Sequence, residues 1–237
     1  MSEPEVSAGP DWDDVVDVIC VGAGALAYGL CCARADVDVL LVSAPSCPDL
    51  SGLVEVMTDD LADLPADGEL AVGSLVPEST RDSRATKLEP FVGSRLRDWS
   101  ARCLASPYGV MFTQVPDMLT AMRDAAGEQV TAAVLGPYPP ALAQGRIPLA
   151  QWLDEQADEY DLAVRHTLGA LVTAEGRIAG AVLDTSAGPW RVAATAGLAI
   201  AVGHGAPAPV PPMPDGMEIA ILGRPFGRFA RLELVRR

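Results

Sequence analysis

An α/β fold is predicted by three features of this 237-residue sequence. Two short apolar runs, residues 17–22 and 38–42, have the length and composition of buried strands. Between them lie a glycine turn, Gly22-Ala23-Gly24, and an Ala- and Leu-rich helical stretch at residues 25–35, completing a strand–turn–helix–strand unit of βαβ type. Farther on, strand-like runs at residues 162–166, 169–173, 178–184 and 190–194 are separated by turn signals at Gly176-Arg177 and Ala187-Gly188-Pro189, which predicts a β-meander.

The other elements follow in chain order. Residues 1–14 are acidic and poor in apolar groups, and read as a disordered tail. Pro45, Pro48, Pro65 and Pro77 punctuate the stretch from 44 to 90, where a short helix is expected at 54–64 and a strand at 70–76. A helix is predicted over 92–104 and a strand over 109–115. Pro116 and Asp117 give residues 116–126 the start signals of a helix. A strand over 130–135 leads into a Pro-rich loop at 136–143. Residues 148–160 have helical spacing, with Leu149, Trp152, Leu153 and Ala157 on one face. A last apolar strand is expected over 198–202, then a Pro-rich linker at 206–214 and a strand pair at 217–222 and 229–235. The expected organisation is therefore a tail at 1–14, an α/β domain at 15–205 with a poorly defined insert at 44–145, and a linker with closing strands at 206–237.

Composition narrows the function. An apolar fraction of 49% supports a sizeable core. No apolar run reaches a membrane span, and the opening residues lack the basic and apolar stretches of a signal peptide, so a cytoplasmic protein is expected. The net charge is −15, and residues 1–80 hold 16 of the 32 acids with Arg34 as their one basic residue. Such a surface repels nucleic acid and anionic membranes. The five cysteines, Cys20, Cys31, Cys32, Cys47 and Cys103, include no CxxC spacing and suggest neither a disulfide framework nor a metal site. They read as small buried hydrophobes, with Cys47, in a Ser-Cys-Pro loop, the one to test for reactivity.

Gly22, Gly24 and Ala27 stand where a strand turns into a helix, in the spacing G-x-G-x-x-A. The first permits the tight turn, the second lets backbone approach a pyrophosphate, and the third lets helix and strand pack closely. The helix N-terminus adds unpaired N–H groups and a favourable dipole. These features predict an FAD/NAD(P)-binding, Rossmann-like domain. An acid is expected about 20 residues on, at the end of the second strand, to hold the ribose hydroxyls. Ser43 occupies that position and can make one hydrogen bond in its place.

The ordered set of motifs resembles the FAD-binding domain of the fumarate reductase / succinate dehydrogenase flavoprotein and 3-ketosteroid dehydrogenase family. Residues 17–42 are similar to its opening. Residues 148–153, 162–166 and 176–180 are similar to its returning helix, strand and meander, and residues 197–203 to its strand ending in Ala-Thr-Gly-Gly. The resemblance implies FAD as cofactor, with Gly22, Gly24 and Ala27 at the pyrophosphate, the backbone near Val172 at the adenine, and Gly203 where the chain passes the cofactor. The family's catalytic cap domain and its glycine-rich loop after the second strand have no counterpart in this sequence.

Candidate chemical groups are few. His204 follows Gly203, near the implied cofactor edge, and is the better proton-transfer candidate; His166 reads as structural. Arg95, Arg97, Asp98 and Arg102 are expected to form ion pairs on a solvated helix face, and Asp154, Glu155, Asp158 and Glu159 to form the polar face of another. Two readings follow. The chain binds FAD or another dinucleotide as a reduced oxidoreductase or a subunit completed by a partner chain. Alternatively, it is a non-catalytic pseudo-flavoprotein that acts as a binding or regulatory subunit.

Overall fold

The computed structural model describes residues 10–44, 47–61, 64–66, 70–77, 93–203 and 216–237. In chain order the elements are β1 (Asp14–Val16), β2 (Val18–Val21), a 3-10 turn (Ala23–Ala25), α1 (Leu26–Arg34), β3 (Val39–Ser43), α2 (Pro48–Thr58), β4 (Ala71–Pro77), α3 (Gly93–Ala105), β5 (Gly109–Phe112), β6 (Thr120–Asp124), β7 (Gln129–Pro137), α4 (Pro140–Ala143), α5 (Leu149–Glu159), β8 (His166–Ala174), β9 (Arg177–Thr185), β10 (Gly188–Ala194), β11 (Leu198–Ala201), β12 (Glu218–Gly223) and β13 (Phe229–Arg236). The chain is α/β, with strands predominating.

Four strands, in the order β8, β3, β2, β11, run parallel. Strands β2 and β11 are almost wholly buried, as the interior of a parallel sheet requires, while β3 and β8 are partly exposed. In β2 the alternation is plain: Val18 and Cys20 join the core beneath α1 and α5, while Ile19 and Val21 join the core that holds Trp99 and Cys103 of α3. The first core takes the whole run Leu26–Cys32 of α1 and the predicted face of α5, Leu149, Trp152, Leu153 and Ala157. From β8 the chain folds back as the antiparallel meander β8–β9–β10. Beyond it β1 pairs in parallel with β10. The expected tail thus ends earlier than residue 14: Asp13 accepts Arg191 N–H at 2.8 Å and Asp14 lies opposite Val192. Residues 1–9 lie outside the described part.

On the other side, β11 pairs with β5 and β5 with β13. One edge of β13 meets β5 at Phe229–Arg231 and then β4 at Glu233–Arg236; the other edge meets β12. Because β12 pairs with β7, β7 with β6 and β6 with β4, strands β4, β6, β7, β12 and β13 close a five-stranded barrel. Strands from 44–145 and from the C-terminal stretch therefore share one structure. Trp99 of α3 fixes the joint. Its Nε1 donates to the Phe229 carbonyl at 3.0 Å, and the guanidinium carbons of Arg224 and Arg231 each lie 5.1 Å from the ring centre. Arg224 pairs with Glu128 at 3.1 Å and Arg231 with the buried Glu233 at 2.7 Å.

Three sequence expectations are corrected. Residues 116–126 hold strand β6, not a helix: Asp124 Oδ1 accepts the N–H of both Ala126 and Glu128 at 2.9 Å, capping a hairpin turn that sends the chain into β7. The helix expected at 54–64 starts at Pro48, which serves as its first residue and so does not break it. Of the run at 162–166 only His166 is strand, since the chain there is leaving α5. The Pro-rich stretch at 206–214 falls outside the described residues.

At the barrel rim, Arg237 Nη2 donates to Glu218 Oε1 at 2.6 Å. That hydrogen bond holds the Glu218 carboxyl below its ordinary range, against a smaller opposing effect of burial. Its stabilisation is therefore present above the unfolded-state value of about 4.5 and fades as pH falls through the lower folded-state value. Glu218→Gln is expected to cost at most about 1 kcal/mol at neutral pH. It should also reduce the loss of stability below about pH 4.5, read from urea melts across pH.

Candidate functional site

The site is built on the turn after β2. Gly22 has φ +82°, a conformation that suits glycine. Its N–H donates to the Val42 carbonyl at 2.9 Å, which ties the turn to the end of β3. A Cβ on Gly24 would lie 3.0 Å from Ala201 Cβ, so the turn sits tightly against β11. Ala25 N–H bonds back to the Gly22 carbonyl at 3.1 Å and Leu26 N–H to the Ala23 carbonyl. Among the described residues this leaves the N–H groups of Ala23 and Gly24 without a partner, at the positive end of α1, where an anion is favoured.

Ala27 is buried in α1. At Gly29 the helix lies close to the sheet: an added Cβ would meet Leu41 Cδ2 at 3.1 Å and Cys20 Sγ at 3.5 Å. Gly29 carries no role in the G-x-G-x-x-A spacing, and its place five residues beyond Gly24 is the signal in the sequence that could have found it.

A cleft of about 260 Å³ opens beside the turn. Gly22 and Ala23 of the turn, Leu41 and Val42 of β3, and Asp154 and Asp158 of α5 are among its lining residues. No lysine or arginine is among its lining residues. Both aspartates are exposed, on the polar face of α5 expected from the sequence. Their i, i+4 spacing was legible, but the packing of α5 against α1, which brings them to the turn, was not.

Of the other residues singled out in the sequence, Ser43 donates its hydroxyl to the His166 carbonyl at 3.3 Å and lies 3.3 Å from Thr167 Oγ1, joining β3 to β8. Val172 lies in the meander, paired with Gly180. Gly203 faces the segment between α3 and β5: an added Cβ would lie 2.2 Å from the Ser106 carbonyl oxygen. None of these three lines the cleft. His204 lies outside the described residues. His166 meets Trp190 edge-on, ring centres 5.1 Å apart. Arg95 pairs with Glu128 at 3.5 Å.

No family model matches the chain, and no curated protein does. Similar solved structures exist. One is the open conformation of a flavocytochrome c3 fumarate reductase, with 17% identity over 77% of this chain and 33% of that one, at a TM-score of 0.34. Another is a geranylgeranyl bacteriochlorophyll reductase-like protein from Thermoplasma acidophilum, with 11% identity over 94% of this chain and 57% of that one, at a TM-score of 0.31. The chain thus spans a third of the length of the first and little more than half of the second.

All five cysteines are buried. Burial pushes the thiols of Cys31 and Cys32 up to about 12 and also pushes that of Cys20 well above its ordinary value, so thiolate chemistry is suppressed there. Cys47, the one marked for reactivity, is 3% exposed, and its Sγ lies 3.6 Å from the Gly169 carbonyl. Among the described residues no group of three or more His, Cys, Asp or Glu could hold a metal ion, and no helix is long and apolar enough to cross a membrane.

Proposed function

We propose that this chain is a Rossmann-like dinucleotide-binding protein that holds the ADP half of its ligand on the turn Gly22-Ala23-Gly24, with FAD the cofactor implied by the family it resembles. The observation that carries the reading is the pair of unpartnered N–H groups, Ala23 and Gly24, at the start of α1, with Ala23 lining a cleft. That arrangement suits a diphosphate. The fit to a whole FAD is partial. The cleft is smaller than the roughly 300–1,000 Å³ of ordinary small-molecule sites, and the Ser106 carbonyl stands against Gly203, where the resemblance would run the flavin. A bound flavin supplies two-electron redox chemistry; this chain's contribution is to bind and orient the nucleotide end. A partner chain would enclose the reactive ring and keep water from it.

The second reading, a non-catalytic pseudo-flavoprotein, is favoured by the Ser106–Gly203 approach and by the engagement of Ser43 with β8. Titration with FAD, followed by flavin fluorescence and gel filtration, separates the two. Under the first reading FAD co-elutes with the protein and ADP displaces it. A colourless protein that neither quenches FAD nor binds ADP would leave the pseudo-flavoprotein reading.

A further inference from the structure

The hairpin between β12 and β13 breaks a rule of turn chemistry. Gly227 N–H bonds to the Arg224 carbonyl at 2.9 Å, closing a four-residue turn with Pro225 at its second position. The third position has φ +62°, where glycine is the usual residue. Phe226 stands there instead, and the glycine follows one residue later. A bulky side chain in that conformation is strained. Packing within the chain does not offset the strain. Phe226 is 87% exposed, the most exposed large apolar side chain among the described residues. Arg228, two residues on, is also exposed and has no ion-pair partner among those residues. Strain held together with open apolar surface points to a contact outside the chain.

A receptor of matching chemistry lies on the same molecule. The cleft beside the glycine turn is lined mainly by apolar groups, among them Leu26, Leu41, Val42 and Val164. Val164 is itself 58% exposed. At about 260 Å³ the cleft has room for a phenyl ring, since a cavity of about 150 Å³ holds benzene. Its lining also includes Asp154 and Asp158 and no cation. It thus offers apolar contact to a ring and carboxylates to an accompanying guanidinium. The hairpin tip and the cleft lie toward opposite ends of β11. Phe112 N–H bonds to the Arg228 carbonyl at 2.8 Å and Phe112 pairs with Ala199, near the start of β11, whereas Gly24 packs on Ala201 at its end. A chain therefore cannot fill its own cleft with its own hairpin.

We propose that Phe226 of one copy of this chain inserts into the cleft of a second copy, with Arg228 pairing with Asp154 and Asp158 there. Tip and cleft are different surfaces, so the contact is head-to-tail. A dimer keeps one free tip and one free cleft, and grows into a ring or a filament. Gly22 and Ala23 line the same cleft, so a nucleotide on the turn and the hairpin of a neighbour exclude one another.

Sedimentation velocity of the ligand-free full chain, from micromolar to millimolar concentration, tests the contact. Wild type is expected to grow beyond a dimer as concentration rises. Phe226→Gly removes the ring and supplies the residue that the turn favours. It should fold at least as stably as wild type in urea melts, yet need on the order of tenfold higher concentration to associate. Arg228→Glu and the double variant Asp154→Lys/Asp158→Lys should each fail to associate alone, while an equimolar mixture of the two recovers the wild-type series. A wild type that stays monomeric throughout, a Phe226→Gly chain that assembles like wild type, or a mixture that stays dissociated would each overturn the proposal. None of these outcomes touches the nucleotide reading, which FAD titration of the monomer tests by itself.

Discussion

Ala23→Glu is expected to abolish FAD binding while leaving the protein at least as stable as wild type. Ala23 is exposed, lines the cleft and carries one of the two unpartnered N–H groups. A carboxylate there meets the positive end of α1 and satisfies those donors itself, which stabilises a helix by about 0.3–1 kcal/mol. It also occupies the diphosphate's place with like charge. Opposite signs for stability and affinity are hard to obtain by general damage, which makes the variant informative. Gly24→Val should lose affinity by more than 100-fold too, the tenfold step being about 1.4 kcal/mol. It will also destabilise, since its Cβ would lie 3.0 Å from Ala201 Cβ. Thermal melts beside the titrations check both. Retention of FAD by folded Ala23→Glu would place the ligand elsewhere.

Gly203→Ala is expected to destabilise the protein in the absence of any ligand by about 3 kcal/mol, the upper part of the range for overpacking. The added Cβ would lie 2.2 Å from the Ser106 carbonyl oxygen and 2.6 Å from the Pro107 carbonyl carbon, both backbone. That backbone cannot swing aside as a side chain can: Gly109, three residues from Ser106, accepts Val202 N–H at 2.9 Å. The resemblance gives a different expectation, that glycine here makes room for cofactor. Under that account the substitution would lower flavin affinity and spare the apo-protein. Urea denaturation of the ligand-free variant decides between them, and an unchanged midpoint would favour the cofactor role.

The elements near the site were legible because their signals are local. The strand–glycine turn–helix–strand unit, the buried face of α5 and the meander each rest on periodicity within a dozen residues or on a turn dipeptide. Pro116-Asp117 misled because helix-start chemistry is also local, whereas β6 forms to fill the gap between β4 and β7. The Asp124-Ala-Ala-Gly127 turn was the signal that would have corrected it, with Gly127 at φ +79°. Most strands of the barrel were recognised one by one, but their closure was not, because nothing near Ala71 announces that it pairs with Glu233. The cleft illustrates the same limit. Its glycine turn could be read from spacing, while its two aspartates arrive from α5 through packing that no neighbouring residue encodes.

The double pairing of β13 along one edge also bears on how the chain is made. Ala71 must wait for Glu233, Met111 for Phe229 and Asp14 for Val192 before their ladders close. During synthesis β4, β6 and β7 emerge long before the strand that completes them, with hydrogen-bonding edges unpaired. Contacts so distant in sequence slow folding, and open edges in the interval invite association between nascent chains. Recovery from denaturant should therefore fall as protein concentration rises, and a holding chaperone should act chiefly on chains released before β13 has left the ribosome.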